Sequence, residues 1–371
     1  MKVIVAAAGT GGHINPGIAI ASIIEKHNPG SDIRFIATGK KLEEDLIHNA
    51  GYKSYAIDAY GFSKKLTIDN IKKMIKTIKG FREAKKILKE FKPDIVIGTG
   101  GYICGAVITE AHKLGIPTLL HESNAYPGLA IRLLEKKTNT ILVGIEEAKN
   151  YLNKANRVVY TGTPTKVKKI KITKTEKNKK LKEFNLDDKL KVVLIFGGSQ
   201  GAKKINDCIV NIIKNKMNKN YQIIWATGKE QYNLIKDELK NNKIDIEKVD
   251  KVKVMPYIDD MSLLLSISDL VVSRSGAMTL TELSLVGKPA IFIPLPSSSA
   301  NRQEDNARVF EKNGAAKIIL NNEVTENNLN DMINSIIGNK EELDKMSLSS
   351  KKLAVIAPED KIYDEIKRLV G

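Results

Sequence analysis

A chain of 371 residues with 42% hydrophobic content has room for two cores of ordinary domain size and is too apolar to be disordered. No window approaches the roughly eighteen uninterrupted apolar residues of a membrane span, and MKVIVAAAGTGGH at the start is too short and glycine-rich for a signal peptide, so a cytosolic chain is expected. Cys104 and Cys208 lie far apart with no C-x-x-C, which argues against a disulfide framework or a zinc site, while the net charge of +17 admits nucleic acid, an anionic lipid surface, an anionic substrate or simply lysine-rich solvated faces.

A buried first strand runs from Lys2 to Ala8, followed by GTGGHINPG, Gly9 to Gly17, and a helix from Pro16 to Lys26. Gly9, Gly11 and Gly12 let a ligand approach the backbone, and a helix start offers its positive end to an anion. The spacing is not G-x-G-x-x-G and no acid about twenty residues on stands out as a ribose partner, so a dinucleotide cofactor is disfavoured. His13 admits two readings. It is a hydrogen-bonding cap in a turn, or a base for a sugar hydroxyl, since a helix N-terminus disfavours the charged imidazole.

A second strand, Asp32 to Thr38, a helix, Lys41 to Ala50, and a third strand, Lys53 to Ile57, come next. From Lys64 to Lys92 the composition turns basic, with Ile68, Ile71, Met74, Ile75, Ile78 and Phe81 at helical spacing. A basic amphipathic helix suits an anionic membrane surface; the alternative is an apolar stripe packed on the sheet, and both fit successive turns. Asp94 to Gly98 is a strand entering a second glycine loop, GTGGYICG, and Thr118 to His121 is a strand entering HESNAYPG. His121, Glu122 and Asn124 lie on the ligand edge of such a sheet, with a brace or N-cap as the alternative role for the first two.

Arg157 to Gly162 closes the first half, and the stretch from Lys166 to Lys182 reads as a solvated linker. Its lysines do not alternate with stacking aromatics, so no nucleic acid partner is expected. The pattern then restarts: strand Lys191 to Phe196, glycine loop GGSQGA from Gly197 to Ala202, a helix to about Met217, strands Tyr221 to Thr227 and Lys251 to Met255, and a helix Ile258 to Ile267. The loop does not satisfy G-x-x-x-x-G-K-[ST], so ATP hydrolysis loses its main support, though Ser199 and neighbouring amides suit a diphosphate. DLVVSRSGAMTLTELSLVGKPAIFIPLP, Asp269 to Pro296, reads as strand, turn, helix and strand, with Glu282 about two turns past the turn. Beyond a serine-rich loop, Gln303 suits a sugar hydroxyl or an N-terminal cap. Ile362 to Val370 is amphipathic.

Two similar halves with glycine loops after strands imply one ligand in a cleft between two α/β domains. No D-x-D, H-E-x-x-H or Cys/His cluster calls for a metal, and no cofactor is implied. GTGGHINPG, GTGGY, HESNAYPG, GGSQGA, SRSGAMTLTE to GKPAIFIPLP, and RQEDNA occur in this order over nearly the whole chain. Together they closely resemble the MurG family of bacterial transferases, which add N-acetylglucosamine from its UDP conjugate to a lipid-linked muramyl-pentapeptide, converting lipid I to lipid II.

The resemblance implies a GT-B fold of two Rossmann-like doubly wound domains facing across a cleft. The expected division is an acceptor and membrane domain at 1–162, a UDP-sugar domain at 163–350, and a C-terminal helix at 351–371 packing back on the first. It implies an inverting reaction, a UDP-GlcNAc donor, a lipid I acceptor and peripheral attachment to the cytoplasmic face of the membrane. Donor contacts carry over to Thr10, Gly11, Gly12, Asn124, Ser199, Ile258, Ala277, Met278, Thr279, Leu280, Thr281, Glu282 and Gln303. Glu282 would accept from the ribose hydroxyls, Ile258 would meet the uracil through its backbone, and His13 is the choice for general base. Thr163, Pro164, Thr165 and Lys166 stand where the family usually has Asn-Pro-x-Arg, so Lys166 offers a point charge in place of a bidentate contact. HESN replaces the commoner HEQN, and Asn15 an often aromatic residue. The other readings are a different lipid glycosyltransferase, a UDP-GlcNAc 2-epimerase or a basic polyanion-binding protein.

Overall fold

The computed structural model describes residues 1–58, 68–198, 200–296 and 301–371, with side chains in the helix that begins at Ile68 described from Thr77 onward. The chain forms two compact units, Met1–Lys166 with Val355–Gly371, and Val167–Ala354.

The first unit alternates strand and helix: β1 Lys2–Ala7, α1 Gly11–His27, β2 Asp32–Ala37, α2 Lys41–Asn49, β3 Lys53–Ala56, α3 Ile68–Phe91, β4 Ile95–Gly100, α4 Ile103–Lys113, β5 Thr118–Glu122, α5 Leu129–Leu134, β6 Thr140–Val143 and β7 Val158–Tyr160. The strands pair in parallel in the order β3-β2-β1-β4-β5-β6-β7. Apolar runs such as KVIVAA and IVIGTG suit this arrangement because a parallel strand covered by helices is buried on both faces. Alternate side chains feed opposite cores. Val3, Val5 and Phe35 join α1 on one face, and Ile4, Ala6 and Ile36 join α3 and α4 on the other.

Helix α1 begins at Gly11, five residues before the start expected at Pro16. Thr10 is extended at the N-cap and its carbonyl accepts from the His13 and Ile14 amides. GGHIN is therefore the first helical turn and more, and Pro16 removes the amide that would have met the Gly12 carbonyl. In α3, Ala84, Leu88 and Phe91 are buried in the core, while Ile78 is half-exposed. Of the stripe's described members, Phe81 packs partly buried against that core and Ile78 does not. Ile68, Ile71, Met74 and Ile75 lie outside the described side chains.

The second unit holds α6 Lys174–Glu183, β8 Lys191–Phe196, α7 Lys203–Lys214, β9 Tyr221–Ala226, α8 Lys229–Asn241, β10 Val252–Met255, α9 Met261–Ile267, β11 Leu270–Ser273, α10 Ala277–Val286, β12 Ala290–Phe292, α11 Arg302–Lys312, β13 Ala316–Ile318, α12 Glu326–Gly338 and α13 Lys340–Lys352. Its parallel sheet runs β10-β9-β8-β11-β12-β13. The expected solvated linker contains α6. Thr173 and Glu176 form a reciprocal capping box at its start, and Leu181 anchors it in the unit. Helix α9 starts at Met261 and not at Ile258, because Asp260 caps it by accepting from the Leu263 amide.

The final helix, α14 Pro358–Val370, belongs to the first unit. Ile362 and Ile366 enter the core beside Val3 and Phe35, Tyr363 stacks on His27, and Glu365 accepts a fork of bonds from Arg157 at 2.6 and 3.0 Å. Arg157, with Arg368 beside it, holds the Glu365 carboxyl below the usual carboxylate range.

Candidate functional site

Both sheets have a point where the winding reverses. The first proceeds outward from β1 to β3 and returns on the other side of β1 with β4; the second does the same at β8 and β11. Loops leaving the carboxyl ends of strands at such a switch point form the ligand crevice of doubly wound sheets. The glycine loops found in the sequence occupy these places in each unit.

In the first unit, the loop after β1 carries Gly9 and exposed Thr10, then Gly11, Gly12 and His13 in the opening turn of α1. Thr10 makes no side-chain cap bond. A Cβ on Gly11 or Gly12 would meet only ordinary contacts within the protein, so these glycines leave room for something outside it. Gly100 differs. With φ at +128° it lies against the His13 ring, and a Cβ there would be driven into Nδ1. A register shift between Ala6 and Ala7, opposite β4, bulges Thr99, whose hydroxyl donates to the His13 carbonyl at 2.7 Å. The second glycine loop thus seats the first. Beneath it, burial pushes the Cys104 thiol up to about 12, which leaves an inert packing group.

The carboxylate of Glu43 is fully buried and accepts from the amides of Gly9 and Thr38 and from the Thr38 hydroxyl, each at 2.7 Å. At the end of β5, Glu122 accepts from the Asn124 amide and side-chain Nδ2 at 2.9 Å and from the Gly128 amide at 2.7 Å. His121 is fully buried, with Nε2 against the Gly162 carbonyl, and burial pushes its pKa down. Of the three candidates in this loop, His121 and Glu122 are braces, and Asn124 is the partly exposed group they hold.

In the second unit, the turn between β11 and α10 is clamped on several sides. Arg274 donates from one guanidinium nitrogen to the Ile293 and Pro294 carbonyls at 2.8 and 3.1 Å. Ser275 donates to the Gln303 carbonyl at 2.6 Å, and the buried Asn306 donates to the Ser275 carbonyl at 3.1 Å. Gln303 does not cap its helix; its Oε1 accepts from the Leu295 amide at 2.9 Å, tying the loop after β12 to the start of α11. Together these bonds fix the N-terminus of α10, which is capped by Gly276 without a side-chain bond and has no acid in its first turn. First-turn amides, which no carbonyl of the helix itself can meet, and the dipole make that end a place for an anion.

Ala277, Met278, Thr279 and Thr281 are partly buried on α10, with the Thr281 hydroxyl bonded to the Ala277 carbonyl. Leu280 is 2% exposed, so its side chain serves the core. Glu282 is partly buried in the second turn. Ile258 is buried in the loop after β10, and Lys166 is exposed at the last residue of the first unit. Ser199 lies outside the described residues. Among the described residues, no group of three or more His, Cys, Asp or Glu side chains is placed to hold a metal ion, and no helix is long and apolar enough to cross a membrane.

Sequence reasoning missed Glu43, Thr99, Arg274 and Asn306. Arg274 and Asn306 stood in motifs already singled out, SRSG and RQEDNA, so their proximity to candidate residues was the available signal. Glu43 looked like any acid in the first turn of a helix.

Residues 3–143 match the glycosyltransferase family 28 N-terminal domain, and residues 192–359 match the glycosyltransferase family 28 C-terminal domain. A protein of Ruminiclostridium cellulolyticum named UDP-N-acetylglucosamine–N-acetylmuramyl-(pentapeptide) pyrophosphoryl-undecaprenol N-acetylglucosamine transferase is 40% identical over 370 residues, covering 100% of both chains. A protein of the same name from a Thermoanaerobacter species is 41% identical over 369 residues, again covering 100% of both. Among solved structures, the crystal structure of Acinetobacter baumannii MurG superposes with a TM-score of 0.78 at 27% identity, covering 99% of this chain and 100% of that one.

Proposed function

The chain belongs to glycosyltransferase family 28, and from that premise we propose that it moves N-acetylglucosamine from UDP-GlcNAc to the 4-hydroxyl of the muramyl sugar of undecaprenyl-pyrophosphoryl-MurNAc-pentapeptide, the lipid I to lipid II step of peptidoglycan synthesis. The observation that carries this reading is that the glycine loops after β1, β4, β8 and β11 fall at the carboxyl ends of strands at both switch points, where each sheet is built to take a ligand.

The second unit takes the donor. The N-terminus of α10, with the loop that includes Ser199, receives the diphosphate, and Glu282 accepts from the two ribose hydroxyls. Ile258 meets the uracil through backbone groups and Gln303 reads the sugar. As the glycosidic bond to the diphosphate breaks, the departing oxygen gains charge, and fixed amides at a helix start stabilise that charge without reorganising. In the first unit His13 takes the proton of the acceptor hydroxyl as it attacks the anomeric carbon from the opposite face, which inverts the configuration. Thr10, Gly11 and Gly12 leave space for the reacting groups, and Asn124, held by Glu122, contributes an amide contact. Lys166 supplies a positive charge near the boundary of the units.

The protein works at the cytoplasmic face of the membrane, where its acceptor is anchored, and the basic segment from Lys64 to Lys92 is the proposed contact with anionic lipid. Charge reversal at Lys72, Lys73 and Lys76 should abolish sedimentation with anionic vesicles; unchanged sedimentation places the membrane contact elsewhere.

The activity test is incubation of labelled UDP-GlcNAc with a lipid I analogue, beside lipid-free and UDP-glucose controls. Label in the lipid fraction only when both partners are present supports the reading. Epimerisation of UDP-GlcNAc without lipid would replace it with a 2-epimerase.

A further inference from the structure

We propose that Glu43 is the positioning residue for His13, acting through the backbone of Gly9; the inference rests on the reading of His13 as the base. Three observations lead to it. The carboxylate is fully buried at the start of α2, yet it caps nothing in its own helix. One oxygen, Oε1, reaches the Gly9 amide, and the other, Oε2, accepts both the amide and the hydroxyl of Thr38 at the end of β2. Gly9 is exposed and left-handed, with φ at +105°, a conformation that the loop must be held in.

Gly9 is also a neighbour of the imidazole. A Cβ built on it would lie 3.8 Å from His13 Cδ2, while the Gly100 backbone closes on the Nδ1 side of the same ring. Thr99 fixes the backbone of His13 from β4. The ring therefore has the Gly100 backbone, set by the β4 bulge, against its Nδ1 side and the Gly9 backbone, held by Glu43, near its Cδ2 edge. A carboxylate suits this place because it accepts on both oxygens. An amide of the same shape would turn an NH2 toward either the Gly9 amide or the Thr38 donors, and donor would face donor.

The test compares wild type, Glu43→Gln and Thr38→Val in the transferase assay and in NMR of the histidine Cε1–H resonances, with His13→Ala assigning its own signal among the five histidines. Glu43→Gln is expected to lower kcat by about 100-fold, the scale of an ångström-sized misplacement, with the donor KM kept within about twofold. The His13 resonance should move while the other four stay. Thr38→Val, which removes a single donor to the same carboxylate, should give a smaller change of the same kind, and it serves if Glu43→Gln does not fold. Unchanged kcat with an unmoved His13 resonance in a folded variant overturns the proposal. So does an equal loss of UDP affinity and turnover, which would mark general damage. If wild type shows no transfer, the functional reading fails, and the His13 resonance alone still decides whether Glu43 positions that ring.

Discussion

In the first unit the loop at the switch point is anchored by a buried carboxylate, Glu43, accepting from Gly9 and Thr38; in the second it is anchored by a guanidinium, Arg274, donating to Ile293 and Pro294. The winding of the two sheets is the same, so topology alone does not choose the sign of the anchor. On the proposed roles, a negative anchor stands behind the loop whose imidazole takes a proton. A positive one stands behind the helix start where a diphosphate is to sit, and an arginine keeps its charge there even though burial pushes its pKa down. One frame used twice is thus differentiated by the charge placed behind its loops. On the proposed roles, this fits the first unit to proton transfer and the second to holding an anion.

The comparison breaks most visibly at His13. His13→Ala should lower kcat by about 10²–10⁴-fold, the usual contribution of a general base, with the donor KM near that of wild type. Comparable losses in steady-state kcat and donor affinity would move His13 from chemistry to binding. Glu282→Ala should raise the donor KM by an amount equivalent to about 2–3 kcal/mol, since two charge-assisted bonds to the ribose are lost, and an unchanged value would remove the donor role from α10.

A smaller effect sharpens the account of the second anchor. Asn306→Ala removes the donor to the buried Ser275 carbonyl and should cost about 1–3 kcal/mol in urea unfolding, with weaker UDP binding alongside. The mildest test concerns Lys288, whose partly buried ammonium donates to the Ser268 carbonyl at the opposite, amino end of the sheet. Burial lowers its pKa from 10.5 to about 8, so the folded state disfavours the charge. That penalty is fully present below about pH 8 and fades as pH rises toward 10.5. Lys288→Met should therefore be more stable than wild type near neutral pH, by roughly 1–3 kcal/mol, with the gap closing by about pH 10 in chemical denaturation. Turnover should not follow it, because the residue lies away from the carboxyl-end loops.

Much of the frame was legible because parallel strands buried on both faces are written as apolar runs, KVVLIF and YQIIWA among them. Helix α6 was not, since KTEKNKKLKE buries little beyond Leu181 and its capping box was read as linker chemistry. The start of α1 was also missed, because glycine, histidine and asparagine before a proline read as a loop until Thr10 is seen to cap them. Beyond Ala315 no motif marks the helices α12 and α13. In the site, the motifs pointed to the right loops, but the division between exposed groups and braces was hidden. His121 and Glu122 differ from Asn124 only in what surrounds them, and Glu43 meets Gly9 from thirty-four residues away. Such pairings depend on strand order, which periodicity does not reveal.

The division of labour between the units is tested most directly by calorimetric titration of UDP into wild type, His13→Ala and Glu282→Ala side by side. The account predicts that His13→Ala binds UDP as wild type does while Glu282→Ala loses about 30-fold or more, the equivalent of its missing ribose contacts. Equal losses in both variants, or a loss in His13→Ala alone, would contradict it.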